Sequence, residues 1–303
     1  MKPNSIAVTA DWWVKVHQFY ELTKPRVVLL IMFTAVVGMF LATPAMVPLD
    51  SLFFGTLGIG MAAAAGAAVN HIVDRRIDSR MKRTRRRPLA SGDLGMDQAL
   101  VFAVTLAAVS MFILVRWVNG LTAVLTFASL IGYAVVYTVF LKHWTPQNIV
   151  IGGAAGAAPP LLGWTAVTGE VSSNALLLFL IIFCWTPPHF WALALYRRND
   201  YASAGVPMLP VTHGGRFTRL HILLYTVLLA AVSVMPFATH MSGWVYLAGA
   251  ILLNAQFIVY AARLYSTYSD VLSRRTFVFS IQYLAMLFAL MLIDHYAVIF
   301  FFS

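Results

Sequence analysis

The chain has 303 residues, 60% of them hydrophobic and 11% charged, with a mean hydropathy of +0.80, which excludes a soluble domain and predicts a polytopic membrane protein. A formal charge of +10 would suit nucleic acid, but the Lys and Arg residues lie in short loops between apolar spans, and no stretch is long enough for a folded basic domain. One cysteine, Cys184, in an apolar run excludes disulfides and cysteine metal centres.

Residues 1–9 form a polar lead without the pattern of a cleavable signal or an Arg-rich transit peptide, so a bacterial inner membrane is the expected location. Residues 11–24 place Trp12, Trp13, Val16, Phe19, Tyr20 and Leu22 among Lys15, Glu21 and Lys24, predicting an interfacial amphipathic helix. Nine apolar spans follow, near 27–47, 51–73, 97–118, 120–141, 147–168, 173–196, 218–239, 243–263 and 276–301. The expected fold is therefore one all-α membrane domain over 1–303, with nine transmembrane helices. The first hairpin, at 48–50, carries no basic residue, whereas the next loop carries eight. Continuing the alternation, Lys142, Arg197, Arg198, Arg216, Arg219, Arg263, Arg274 and Arg275 join that side, and only Arg116 falls opposite. The basic side is expected to be cytoplasmic, with the N-terminus inside and the C-terminus periplasmic.

The second span runs into Asn70, Asp74 and Asp78, four residues apart and so on one helix face, with about 6 Å of rise between neighbours. Arg75, Arg76, Arg80, Lys82, Arg83, Arg85, Arg86 and Arg87 crowd beside them. Two carboxylates on one face can hold Mg²⁺, which fills its other positions with water and substrate phosphate, and the cations suit a diphosphate. The plainer alternative is a positive-inside loop with surface ion pairs. Position favours the first, because ionisable groups at the mouth of a membrane helix tend to be functional.

Two long loops, 74–96 and 197–217, both expected to be cytoplasmic, sit four spans apart, and each carries an Asp near its start (Asp74 and Asp78; Asp200), suggesting a weak internal duplication. Gly152 and Gly156 make a small-xxx-small pair suited to close helix packing. Pro159–Pro160 and Pro187–Pro188 should kink their helices, and kinks in lipid require a cavity or neighbours, so a central cavity near them is expected. His189 follows the second pair, either hydrogen-bonded to a neighbouring helix or in contact with a large cofactor. Arg26 either reaches a diphosphate or anchors its helix. Asp294 and His295 are expected to mark the outer interface.

Asn70-x-x-x-Asp74-x-x-x-Asp78, with Met81-Lys82-Arg83-Thr84 and Arg87-Pro88-Leu89, resembles the intramembrane polyprenyltransferases of the UbiA type. Leu22-Thr23-Lys24-Pro25-Arg26-Val27, Gly152-Gly153-x-x-Gly156-Ala157-x-Pro159-Pro160-Leu161-x-Gly163-Trp164, Trp185-Thr186-Pro187-Pro188-His189-Phe190-Trp191 and Asp200-Tyr201-x-x-Ala204-Gly205-x-Pro207-Met208-Leu209-Pro210 extend the likeness over residues 18–216 and are similar to its haem-directed branch. Two departures stand out. Quinone-forming relatives carry several spaced aspartates in the second loop where only Asp200 stands, and position 143 is His where the branch has Arg.

The resemblance implies nine helices around a cavity open to the cytoplasmic side, and transfer of farnesyl from farnesyl diphosphate to a vinyl group of haem B, with water addition giving haem O. It implies Mg²⁺ on Asp74, Asp78 and Asn70, with Asp200 for a second ion. Candidate phosphate ligands are Arg26, Arg75, Arg80, Lys82, Arg83, Arg87, Lys142 and Arg197, and His189 is the candidate haem contact. The next enzyme of haem A synthesis or a terminal oxidase would be the partner beyond the lipid bilayer. Two rivals stand beside this: a prenyltransferase for a quinone precursor or other ring, and a secondary transporter with broken helices.

Overall fold

Apolar runs of about twenty residues cross a bilayer only as helices, because lipid offers no partner to a free N–H or C=O. The computed structural model describes residues 5–44, 46–81 and 83–302, and no strand occurs among them. Its main helices are α1 (Ser5–Leu22), α2 (Pro25–Leu41), α3 (Leu49–Arg80), α4 (Met96–Trp117), α5 (Gly120–Trp144), α6 (Asn148–Thr168), α7 (Ser173–Tyr196), α8 (Gly214–Ala238), α9 (Trp244–Ser266) and α10 (Asp270–Phe302). Eight of them, α3 to α10, are long and apolar enough to cross a membrane. The ninth expected span is α2, which has only 17 residues and ends at Leu41 rather than 47. It qualifies only together with Trp12–Leu22, to which it is bent by 51°. Pro44 explains the early stop, since the residue before a proline is pushed out of the helical region.

The interfacial helix expected at 11–24 ends at Leu22, and its base is docked rather than free. Leu22 is buried with Leu89, Leu94 and Ala99, and Phe19 lies 5.0 Å from Phe102 of α4, while Trp12, Trp13 and Tyr20 stay exposed. α3 continues past the expected end at 73 to Arg80, so both aspartates of the motif sit on regular helix.

The most buried spans are α3, α6 and α7. α3 packs against α2, α4 and α5; α7 packs against α6, α8 and α10; α10 returns to α2 and closes the ring. Where α2 crosses α6 the two backbones touch: a Cβ on Gly38 would overlap the Pro160 carbonyl, and one on Gly163 would overlap the Ala35 carbonyl. The small-residue contact therefore falls on this pair, not on the expected Gly152–Gly156. Gly152 makes room for the Tyr137 ring instead, and a Cβ on Gly156 would meet nothing within 4 Å. α6 is interrupted only at Ala158, itself helical in backbone conformation, where the two prolines that follow lack an N–H to donate, and α7 runs through Pro187 and Pro188 as one helix.

At the end opposite the motif, Asp294 is buried and accepts hydrogen bonds from the Gly243 and Tyr246 N–H groups, the latter at 3.0 Å. It caps α9, whose first N–H groups lack intrahelical partners, and so has a structural task at the end of that span. A buried chain of hydrogen bonds, Tyr283 to Asn254 at 2.7 Å and Asn254 to Ser233 at 2.9 Å, ties α10, α9 and α8 together there.

Candidate active site

A carboxylate taken out of water must find a cation or several donors. Asp74 and Asp78, both buried on one face of α3, each have one cation. Lys142 Nζ, from the end of α5, stands 2.5 Å from Asp74 Oδ2, and Arg87 Nη1 donates to Asp78 Oδ2 at 2.7 Å. Asn70 donates its amide N–H to Asp74 Oδ2 at 2.9 Å, and its own amide oxygen accepts from Lys24 Nζ. Asp74 Oδ1 is buried with no partner. His71, on the same side of α3, is buried with both ring nitrogens unpartnered.

Two local departures from regular geometry build this cluster. Lys24, between α1 and α2, takes a left-handed conformation (φ 49°), which costs a non-glycine residue about 1–2 kcal/mol and turns its side chain toward Asn70. In α5, residues Gly132–Leu141 form a π-helix. Its widened turns let the Thr138 hydroxyl donate to the Tyr133 carbonyl at 2.7 Å while accepting from Asn70 Nδ2 at 3.4 Å. Tyr133 and Tyr137, in the same π-helical stretch, stack with ring centroids 5.7 Å apart.

The second loop folds onto the first. It forms short helices Arg198–Ser203 and Leu209–Thr212, and its Tyr201, Met208 and Leu209 join Met81 of the first loop in one apolar cluster. Arg197 Nη1 lies 3.5 Å from Asp200 Oδ2. The Tyr201 phenol is held above its ordinary range, chiefly by burial, with the charges of Asp200 and Asp74 adding to the rise and that of Arg83 opposing it.

His189 is buried on α7, stacked at 4.2 Å on Trp185 and 4.7 Å on Phe277, with Nδ1 hydrogen-bonded to Ser280 at 2.7 Å. Of the expected phosphate ligands, Arg87 and Lys142 sit on the carboxylates, and Arg197 pairs with Asp200. Arg26, Arg75, Arg80 and Arg83 are exposed, with Arg75 lining a cleft of about 240 Å³ with Ile72, Val73, Arg76 and Met96. Lys82 lies outside the described residues. A second cleft, of about 250 Å³, is lined by Tyr196, Arg198, Arg219 and Asp270. Neither cleft is at the carboxylates, which Lys142 and Arg87 close over.

Among the described residues no three His, Cys, Asp or Glu side chains form a ready-made cation site. Mg²⁺ needs fewer protein ligands, one or two carboxylates with water and phosphate, and the unpartnered Asp74 Oδ1 fits that demand. Sequence reading passed over Lys24, His71, Tyr133, Tyr137 and Thr138. Only Lys24 carried a signal, a lysine directly before the proline that opens a membrane helix.

The chain belongs to the UbiA prenyltransferase family, whose model matches residues 31–291, and buried carboxylates at a helix mouth with cations around them fit an intramembrane prenyltransferase. It is 61% identical over 282 residues to a protoheme IX farnesyltransferase of Nitrosospira multiformis, covering 93% of this chain and 95% of that one. It is 59% identical over 295 residues to the protoheme IX farnesyltransferase of Teredinibacter turnerae, covering 97% and 94%. In fold it is similar to a digeranylgeranylglyceryl phosphate synthase (TM-score 0.78, 17% identity, 93% and 98% covered). It is similar also to a UbiA homolog from Archaeoglobus fulgidus bound to DMAPP and Mg²⁺ (TM-score 0.69, 17% identity, 90% and 99% covered).

Proposed function

We propose that this chain transfers the farnesyl group of farnesyl diphosphate to a vinyl group of haem B, releasing diphosphate and yielding haem O after water addition. Identity near 60% along almost the whole chain to proteins named protoheme IX farnesyltransferase supports the reaction. The observation that carries the site is Asp74: buried, with Lys142 on one oxygen and nothing on the other.

Asp74, Asp78 and Asn70 would hold Mg²⁺, and Asp200 a second ion. When bound, the metal supplies positive charge to the diphosphate leaving group. Lys24, Lys142 and Arg87 already crowd the mouth of α3 and offer charge-assisted donors to phosphate oxygens. The farnesyl C–O bond breaks with its electron pair leaving on diphosphate, and the vinyl group then attacks the allylic cation. Water captures the cation formed on the porphyrin side chain and loses a proton, giving the hydroxyethylfarnesyl group. Tyr133 and Tyr137 would wall the cation from earlier attack by water.

Purified protein given farnesyl diphosphate and haem B is expected to convert it to a more apolar haem, to stop when Mg²⁺ is chelated, and to resume when it is returned. Transfer to a quinone precursor with none to haem would overturn the acceptor.

Both catalytic loops face the cytoplasm in this reading, with the C-terminus periplasmic. Single cysteines at Ser91 and Ser203 test it against a quiet background, since the native Cys184 is buried. An impermeant thiol reagent should label neither in intact cells and both in inverted vesicles. Rapid labelling from outside would reverse the orientation.

A further inference from the structure

We infer that Ser280 is a positioning residue: it locks His189 in the Nδ1–H tautomer, so that Nε2 presents a lone pair to the iron of the haem acceptor. The inference rests on the proposed acceptor and on His189 as its contact.

Proton bookkeeping carries it. The Ser280 hydroxyl has one hydrogen, and it is committed to the Phe277 carbonyl at 2.6 Å, an oxygen that can only accept. The same hydroxyl oxygen stands 2.7 Å from His189 Nδ1. The proton in that second contact must therefore come from the imidazole, and a neutral ring with its hydrogen on Nδ1 has its lone pair on Nε2. Nε2 makes no hydrogen bond to any described residue, yet it is not among their sealed, unpartnered polar atoms, so it keeps some accessible surface.

The ring is also kept from turning over. Trp185 stacks on it at 4.2 Å with planes 18° apart, and Phe277 at 4.7 Å with planes 29° apart. Trp185 is itself pinned, since its indole N–H donates to the Ser280 carbonyl at 2.7 Å. Ser280 is fully buried, so water does not compete for its hydroxyl. A histidine whose inner N–H is held by an acceptor while the outer nitrogen stays free is the arrangement that orients imidazole toward a metal ion.

The test uses full-length protein in detergent, titrated by absorbance with iron(III) protoporphyrin IX and, separately, with the iron-free porphyrin. Ser280→Ala is expected to lose about ten- to a hundredfold in affinity for the iron porphyrin and to shift its Soret band, with iron-free binding unchanged. Ser280→Thr, which keeps the hydroxyl, should stay within about twofold of the parent. Should the alanine variant not fold, Ser280→Cys decides, because its sulfur is a weak acceptor in nearly the same volume; it should show a smaller loss of the same iron-dependent kind. Parental iron-porphyrin affinity and spectrum in Ser280→Ala, with a clear loss in His189→Ala, would overturn the positioning role and leave the His189 contact standing. Unchanged iron-porphyrin binding in His189→Ala would overturn the contact and this inference together.

Discussion

Replacing Asp74 with Asn is expected to lower farnesyl transfer by roughly a hundred- to a thousandfold while the protein stays folded and inserted. The substitution keeps the shape of the side chain and removes its charge, so the pocket between Lys142, Asn70 and Thr138 is not opened. What disappears is the one buried anionic oxygen among the described residues that has no partner, the atom best placed to meet a metal–diphosphate pair. Lys142 loses its counter-charge, which costs some stability, but its side chain keeps part of its surface exposed and can turn outward. Turnover and Mg²⁺ dependence measured on one monodisperse sample decide the matter. Near-normal turnover in folded Asp74→Asn would remove this carboxylate from the mechanism.

The largest loss of stability is expected from Gly163→Ala. A Cβ there would overlap the backbone carbonyl of Ala35, and neither partner has a flexible side chain to move aside. Overpacking in a core costs about 1–3 kcal/mol, and a backbone-to-backbone overlap belongs at or beyond the top of that range. Gly156→Ala is the matched control, one small residue on the same span with open space around it. It should be neutral or gain up to about 1 kcal/mol from helix propensity. Thermal unfolding of the two variants in detergent should therefore move apart, and coincident midpoints would mean that α2 and α6 do not cross as closely as described.

Much of this was legible in the residues because the relevant patterns are long or strictly periodic. The apolar spans follow from length alone, and Asn70, Asp74 and Asp78 from a four-residue spacing that any helix converts into a face. The rest depended on geometry that no local pattern carries. Lys24 matters because a left-handed residue redirects its side chain across to Asn70, a contact between positions 46 residues apart. Among eight basic residues in the first loop, only the packing of the turn that follows α3 singles out Arg87. Ser280 reads as one more small polar residue in an apolar helix until Trp185, His189 and Phe277 are seen around it. Gly152 and Gly156 were ranked by a motif that ignores which residue faces which neighbour, and the true backbone contact lay seven residues beyond Gly156, at Gly163.

The π-helical stretch of α5 makes the length of that segment a functional quantity. Each widened turn accommodates roughly one residue more than an α-turn, and Lys142 follows directly, its N–H bonded back to the Tyr137 carbonyl five positions earlier. Val135 and Val136 lie on its exposed face, where exchanges among apolar residues alter little. Losing one residue there is a different event. It would close one widened turn to ordinary α pitch and so remove the geometry through which Thr138 reaches both the Tyr133 carbonyl and Asn70. Sequence drift on this exposed face is thus free in letters but not in number.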